Sequence, residues 1–507
     1  MRNLFVLSIL FVIPACLFAQ CSGGCCGAHS TSYTCATCAH GETGSCRLVN
    51  SCNQSDVQNA ITDSSAGTTG YASSTIFGGD GVYVPAGSCS WTSAVSWTNK
   101  NINVIGSNPT ITHTSSNAFN VSVSGNGATA ASFRISNFSF SGSTSGNMIN
   151  INVGNPNLTA WAGFFRIDHM TDNYSSSGNV IVVYGPVWGL IDHWTSTTPS
   201  NHLEQADFLN LEYNQTQASN DSELLGEYSG RILPEALGTE NAIYVEDSTF
   251  TCTGNYSGAL SDSESGGQRM VWRHNSSTGT CFHYAHWTRG TEWDGDTYEI
   301  YDNTYNGAGA SGYPMRFGSG TGVIYNNAIS GYSDPTVHVD ETRGCGGEST
   351  TAPYYSCDGT RALDGNAGDT NAPGWPCAGQ IGTACIAGKC TRATMNSAPL
   401  LVWNNGSQGA CATGGTCTNS VTVTVDGPMG STNSCTRTMS NYIKSTPHSV
   451  LGALNGAVDY CQGSSMPGTC GIYTNTYTPY TYPHPLDSSQ IAPQPPLSVN
   501  GTSNPTN

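Results

Sequence analysis

Short runs of alternating apolar and polar residues, separated by Asn, Gly, Ser and Asp turns, fill the chain from about Val82 to Ile329. They are too short and too β-branched for helices, so they predict strands. Aligned, they share an apolar pair, then Asp, Asn or His, then a strand containing Thr or Ser. Instances are Phe165–His169, Leu190–His193, Tyr244–Ser248, Val271–Asn275, Glu299–Asn303 and Val323–Asn327, with Asn103–Ser107 and Phe133–Asn137 before them. Successive offsets are near 24, 27, 28 and 24 residues, and the 55 between Asp192 and Asp247 make about two periods. A repeat of this length built from strands and turns predicts a parallel β-helix. Each coil would supply three short strands stacked ~4.8 Å above the previous coil, and roughly nine to twelve coils are expected. One coil cannot bury enough apolar surface alone; the stack can.

The order Ser55-Asp-Val-Gln-Asn-Ala-Ile61, then Gly81-Val-Tyr-Val-Pro-Ala-Gly87, resembles the entrance of right-handed parallel β-helix proteins of the pectate-lyase-like superfamily. The Ile-Asp-His at 167–169 and 191–193 is similar to coil strands of the same superfamily. The resemblance spans roughly 53–340. It implies an all-β, right-handed parallel β-helix whose first coil is capped by a short amphipathic helix. It does not name an activity, because lyases, hydrolases, phage tailspikes and adhesins share the fold. The polygalacturonase-like set (paired Asp, Gly-His-Gly, Arg-Ile-Lys) and the pectate-lyase-like Arg-x-Pro-x-x-Arg are absent, so no family catalytic residue carries over. Cys252 and Cys281 lie 29 residues apart, one coil, which suits a disulfide between coils.

The flanks differ. Arg2, the apolar run Leu4–Ile13 and Pro14 predict a signal peptide over 1–19, cleaved after Ala19. Ile13-Pro14-Ala15-Cys16 loosely imitates a lipidation box, but Pro fits it badly, so a secreted or extracellular-surface protein is expected rather than a lipoprotein. Ten apolar residues are too few for a spanning helix, which needs about 20. Of 21 cysteines, 20 follow Cys16, an even number that favours disulfides after export. A zinc site at Cys35, Cys38, His29 and His40 is the alternative. Residues 20–52 form a Cys-rich N-terminal segment, 341–485 a Cys-rich, loop-rich region with irregular coils, and 486–507 a flexible tail.

Charged residues make up only 10% of the chain, and 16 basic against 34 acidic give −18, which excludes a nucleic-acid binder working by phosphate neutralisation. The richest chemistry lies between Arg269 and Asp302. His283, His286 and Arg289 could act as base or charge stabiliser, and Glu292 and Glu299 as an acid/base pair. Arg269, Arg273 and Asp302 could hold polar groups while Trp287 and Trp293 stack on sugar rings. A secreted protein that binds and cleaves an extracellular polysaccharide, as lyase or hydrolase, is expected; a non-catalytic adhesin or structural surface protein is the alternative. Asp364, Asn366 and Asp369 place hard oxygen ligands in a Gly-rich loop, which suits Ca²⁺.

Overall fold

The computed structural model describes residues 25, 27–65, 78–114, 117–123, 131–142, 146–153, 164–174, 179–185, 187–198, 208–212, 237–240, 242–253, 259–264, 269–285, 297–318, 320–340, 383–385, 395–397, 399–407, 421–426, 443–446, 450–452, 460–470 and 473–488. Strands dominate it. Three long sheets hold 13, 9 and 10 strands, and most of these strands pair in parallel with the strand three places along the chain. Phe164–Asp168 thus lies in parallel between Phe133–Ser136 and Trp188–Asp192, which pairs in turn with Ile243–Glu246. This is a β-helix-like stack. An antiparallel hairpin of Tyr33–Ala36 and Cys46–Val49 opens the first sheet. The helix Gln54–Thr62 closes the core at that end with Val57, Ala60 and Ile61.

In-register pairing turns the alternation along each strand into columns. On the first sheet Val104, Ile135, Ile167, Ile191, Val245, Trp272, Ile300, Ile324 and Val402 meet rung on rung. All are buried in one continuous core. Their strand neighbours point outward. From the strand Phe133–Ser136 to Leu400–Trp403 the corner after this sheet holds a left-handed residue at eight successive turns: Asn137, His169, His193, Asp247, His274, Asp302, Asn326 and Asn404 all have φ between 51° and 61° except Asn404 at 49°. Asn, Asp and His tolerate that conformation better than other side chains, which is why the polar residue recurs where the sequence repeat places it.

The next residue turns inward. At Asn275, Asn303, Asn327 and Asn405 it builds a buried amide ladder. Each Asn side chain donates to a strand carbonyl of the preceding rung (Val245, Trp272, Ile300 and Ile324 in order) and accepts from the backbone N–H of the residue one rung before. Asn side chains also bond directly along the stack, as Asn303 Nδ2 does to Asn327 Oδ1 at 3.0 Å.

Disulfides join Cys25–Cys35, Cys38–Cys46, Cys52–Cys89, Cys252–Cys281 and Cys461–Cys470. Cys35 and Cys38 therefore sit in separate disulfides, not in a zinc site. Cys252–Cys281 ties adjacent coils, as its spacing suggested. Among the described residues no helix is long and apolar enough to cross a membrane. The expectation of a flexible tail from 486 needs correction at its start: Leu486 is buried and Asp487 binds Arg166, because Pro485–Ser488 forms a helical turn against the first sheet. The remainder, 489–507, lies outside the described residues.

Two stability changes follow. Removing the inter-coil bridge in a Cys252→Ala/Cys281→Ala variant should cost about 3 kcal/mol, since it closes a loop of a few tens of residues. Asn303→Ala should cost about 2–3 kcal/mol by stranding the Trp272 carbonyl and the Asn275 N–H. Denaturant unfolding of both variants measures these losses, and mass spectrometry without reductant should recover the Cys252–Cys281 peptide pair.

Candidate functional site

Most of the chemistry on the described residues gathers on the outer face of the first sheet. Outward positions there fall into two columns. One runs Asn103, Arg134, Arg166, Leu190, Tyr244, Val271, Glu299 and Val323; the other runs Ser136, Asp168, Asp192, Glu246, Arg273, Tyr301 and Tyr325. Arg134 grips Asp168 through Nε and Nη2, both at 2.6 Å, and Arg166 grips Asp192 at 2.9 and 2.7 Å. Arg273 Nε meets Glu246 at 2.6 Å. All six side chains are nearly or wholly buried. Burial alone would raise Asp168, but the charges of Arg134 and Arg166 outweigh it and hold the carboxyl well below its usual range. Glu246 behaves differently: burial pushes it up to about 7 even against Arg273 and the His484 N–H.

The cover over this face is the C-terminal segment 473–488. The Leu486 carbonyl and the Asp487 carboxylate accept from Arg166 at 2.9 and 2.6 Å. The Tyr480 and Thr481 carbonyls accept from Arg273 at 2.8 and 2.9 Å. His484 N–H donates to Glu246, and Tyr477 O–H to Glu299 at 2.6 Å. Leu486 joins Tyr244, Val271, Tyr301, Tyr325 and Trp403 in a second apolar cluster, with Tyr477 and Tyr480 packed against it.

The left-handed corner beside this face stays partly open. His169 and His193 stack with ring centroids 4.7 Å apart and planes parallel. Each Nδ1 lies against the preceding buried carboxylate, Asp168 at 2.8 Å and Asp192 at 2.7 Å. The bond to Asp192 raises the His193 pKa, with burial opposing it. One rung on, Asp247 accepts from the Tyr482 hydroxyl at 2.7 Å, and His274 stacks on the Tyr482 ring at 3.6 Å. Burial, then the nearby Arg273, lowers His274 to about 4.

The residues singled out from sequence divide sharply. His283, expected as a base or charge stabiliser, points into the core instead. It is fully buried between Ser261 Oγ (2.7 Å) and Tyr305 O–H (2.8 Å), edge-on to Trp272, and burial lowers it to about 3. Arg273 and Glu299 share the outer face, but both are covered by the C-terminal segment. Glu299 also accepts from the Gly238 N–H, and burial raises its pKa. Arg269 is buried at the start of the same strand. Asp302 stands at the corner, 3.9 Å from His274, with burial raising its pKa. His286, Trp287, Arg289, Glu292 and Trp293, and the calcium set Asp364, Asn366 and Asp369, lie outside the described residues.

Sequence reasoning missed Glu246, Tyr477, Tyr480, Tyr482, His484 and Asp487. Glu246 lay within the repeat Tyr244–Ser248 with nothing to mark it, and for the tyrosines and His484 the signal was the close spacing of aromatic residues from Tyr473 to His484, in a region without the strand repeat. Two described clusters have metal-like composition. Asp192, His193 and Asp487 converge, but Arg166 already bonds both carboxylates. Cys38, Glu42 and Cys46 also converge, but the thiols are joined as a disulfide. Neither set fits an ion.

Comparison of the chain with protein-family models, with curated proteins and with solved structures finds no match in any of the three.

The covered face predicts a pH response. Burial lowers His484 to about 3, with Arg273 and Arg166 adding to the effect. An unfolded or detached His484 titrates near 6.5, so below that pH the released form takes up a proton that the docked form refuses. Stability from this group is fully present above pH 6.5 and falls by about 1.4 kcal/mol per pH unit between 6.5 and 3. His283 adds a similar slope, and Asp168 withdraws its contribution below about pH 4. Burial raises Glu246, so that group favours the folded form as pH falls from about 7 to 4.5 and opposes His484. Thermal unfolding of the parent and of His484→Phe from pH 7 to 4 separates the two, and the variant should take up about one proton fewer on unfolding.

Proposed function

We propose that this chain is an exported, right-handed parallel β-helix of the pectate-lyase-like architecture that works outside the cell as a binding or adhesive protein, not as a polysaccharide-cleaving enzyme. The observation that carries the reading is the commitment of the described acid and base candidates to internal partners. His283 is sealed in the core. Glu299 is held by Tyr477 and Gly238, and Arg273 by Glu246, Tyr301 and two carbonyls of the C-terminal segment. A general acid or base must reach the substrate proton within hydrogen-bonding distance or through one water. These groups have no such reach while residues 473–488 stay docked.

An extended extracellular polysaccharide is the ligand class this reading favours. The open corner offers imidazole and carboxylate groups at successive rungs, ~4.8 Å apart. Sugar hydroxyls along a polymer can bond to such a rail at several points, so that weak contacts add. Export itself is supported by the disulfides and by the apolar run behind Arg2. Cleavage would have to be carried by His286, Arg289 and Glu292.

The test incubates the purified protein with a panel of acidic and neutral glycans, with and without calcium. The expected outcome is retention of at least one glycan with no new reducing ends and no new ultraviolet absorbance from an unsaturated uronate. Arg289→Ala and Glu292→Ala should bind as the parent does, and His169→Ala/His193→Ala should weaken binding about tenfold. Product formation that disappears in Arg289→Ala or Glu292→Ala would replace this reading with a lyase or hydrolase.

A further inference from the structure

The outer face of the second sheet has a regularity that the polysaccharide reading does not use. From Ser88–Trp91 to Thr304–Ala310 its strands pair in parallel, and the register holds without a shift from Ser88 to Asn306. Each rung therefore presents two outward residues, at the first and third strand positions, flanking one inward residue. Thr110 and Thr112, Thr195 and Thr197, and Thr249 and Thr251 are three such pairs. Over the eight rungs the sixteen outward positions are nine Thr, five Ser and two Asn. None is charged, although the chain carries −18. None is aromatic.

The inward position shows that this composition is not a general property of the sheet. It holds Ile111, Phe140 and Phe250, all buried, and Asp172, whose carboxylate accepts from Trp194 Nε1 and Ser196 Oγ. The outward rows are exposed at Ser88, Thr110, Thr171, Thr195, Thr249 and Ser276.

Geometry converts the rows into a lattice. Neighbouring rungs repeat at ~4.8 Å, and first and third positions of one strand lie ~6.7 Å apart. Over eight rungs the array runs about 34 Å. Such a two-way repeat of hydroxyls and methyl groups suits a partner that is itself periodic in two directions, neutral and built of hydrogen-bonding oxygens. Neutrality of the face argues against a charged polymer, which would call for opposite charge. The lack of aromatic rings argues against sugar rings held by stacking. Crystalline water meets all three conditions, since its surface oxygens repeat at comparable spacings along two axes. We propose that the outer face of the second sheet is an ice-binding surface, with each Thr hydroxyl anchoring one water and the methyl groups between rungs holding the anchored waters in rank.

The experiment measures partition of the whole exported protein into a slowly growing polycrystalline ice front, together with the shape of single ice crystals grown in its presence. Thr195→Tyr and Thr249→Tyr place a bulky ring in mid-array on exposed positions. Thr98→Tyr, on the exposed side of the third sheet, is the control. Circular dichroism and melting temperature confirm that all three are folded as the parent is. The parent and Thr98→Tyr should enter the ice and facet the crystals, and both array variants should lose partition by about tenfold or more. Exclusion of the parent from ice would overturn the proposal, as would partition that both array variants retain. Binding to crystalline cellulose or chitin that is lost in the array variants, without ice partition, would assign the face to a polysaccharide instead. The glycan assay at the His169 corner is unaffected by either result, so the two readings fail separately.

Discussion

Backbone pairing from one rung to the next governs everything else in this molecule. In a parallel, in-register stack, the residue at a given position meets the same position of the next coil at ~4.8 Å, whatever its chemistry. Apolar columns gain from that rule without adjustment. Polar columns do not, because like groups are forced together and many of them are out of water. Each polar column in this chain meets the constraint in a different way. Asn275, Asn303, Asn327 and Asn405 can stand in line because an amide both donates and accepts. His169 and His193 stack as flat rings, each with a carboxylate behind it. On the outer face, Asp168 directly opposes Asp192, and the repulsion is relieved by Arg134 and Arg166 reaching across from the adjacent column.

That last arrangement explains the C-terminal segment. Buried ion pairs lose hydration, and their mutual attraction repays the loss only when the remaining donors and acceptors are satisfied. Arg166 and Arg273 have more N–H groups than their carboxylate partners can accept. The carbonyls of Tyr480, Thr481 and Leu486 and the Asp487 carboxylate take up the remainder. The segment also covers Tyr244, Tyr301 and Tyr325, which would otherwise expose an apolar strip along the sheet. A face that looks, residue by residue, like an active site is on this account a satisfied structural interface.

How much of this was legible in the sequence depended on whether the signal was local and repeated. The strands at Phe165–His169 and Leu190–His193 could be aligned by eye, because the left-handed corner admits few residue types and marks each coil. The Cys252–Cys281 bridge followed from the same period. Burial of His283 was not legible. Alternation says that neighbours face opposite ways, but not which way either one faces, so nothing local set His283 apart as the inward member of Phe282–Ala285. The docking of residues 473–488 was hidden for another reason. It belongs to no repeat, and its partners lie about 180 to 320 residues earlier in the chain. A Pro- and Tyr-rich stretch near the end of a chain reads locally as irregular. Only the unsatisfied Arg166 and Arg273 across the fold give it a place.

Hydrogen exchange, followed by mass spectrometry on peptides covering 269–273, 297–301 and 473–488, tests most directly whether this outer face is structural. If the C-terminal segment completes the ion pairs of the first sheet, the hydrogen-bonded amides of His484, Leu486 and Asp487 should exchange at neutral pH far more slowly than in an unstructured peptide, and Arg273→Met should release them together. Exchange of residues 473–488 at the unstructured rate, with the two strand peptides still protected, would contradict the account. It would leave Arg273 and Glu299 open to a ligand.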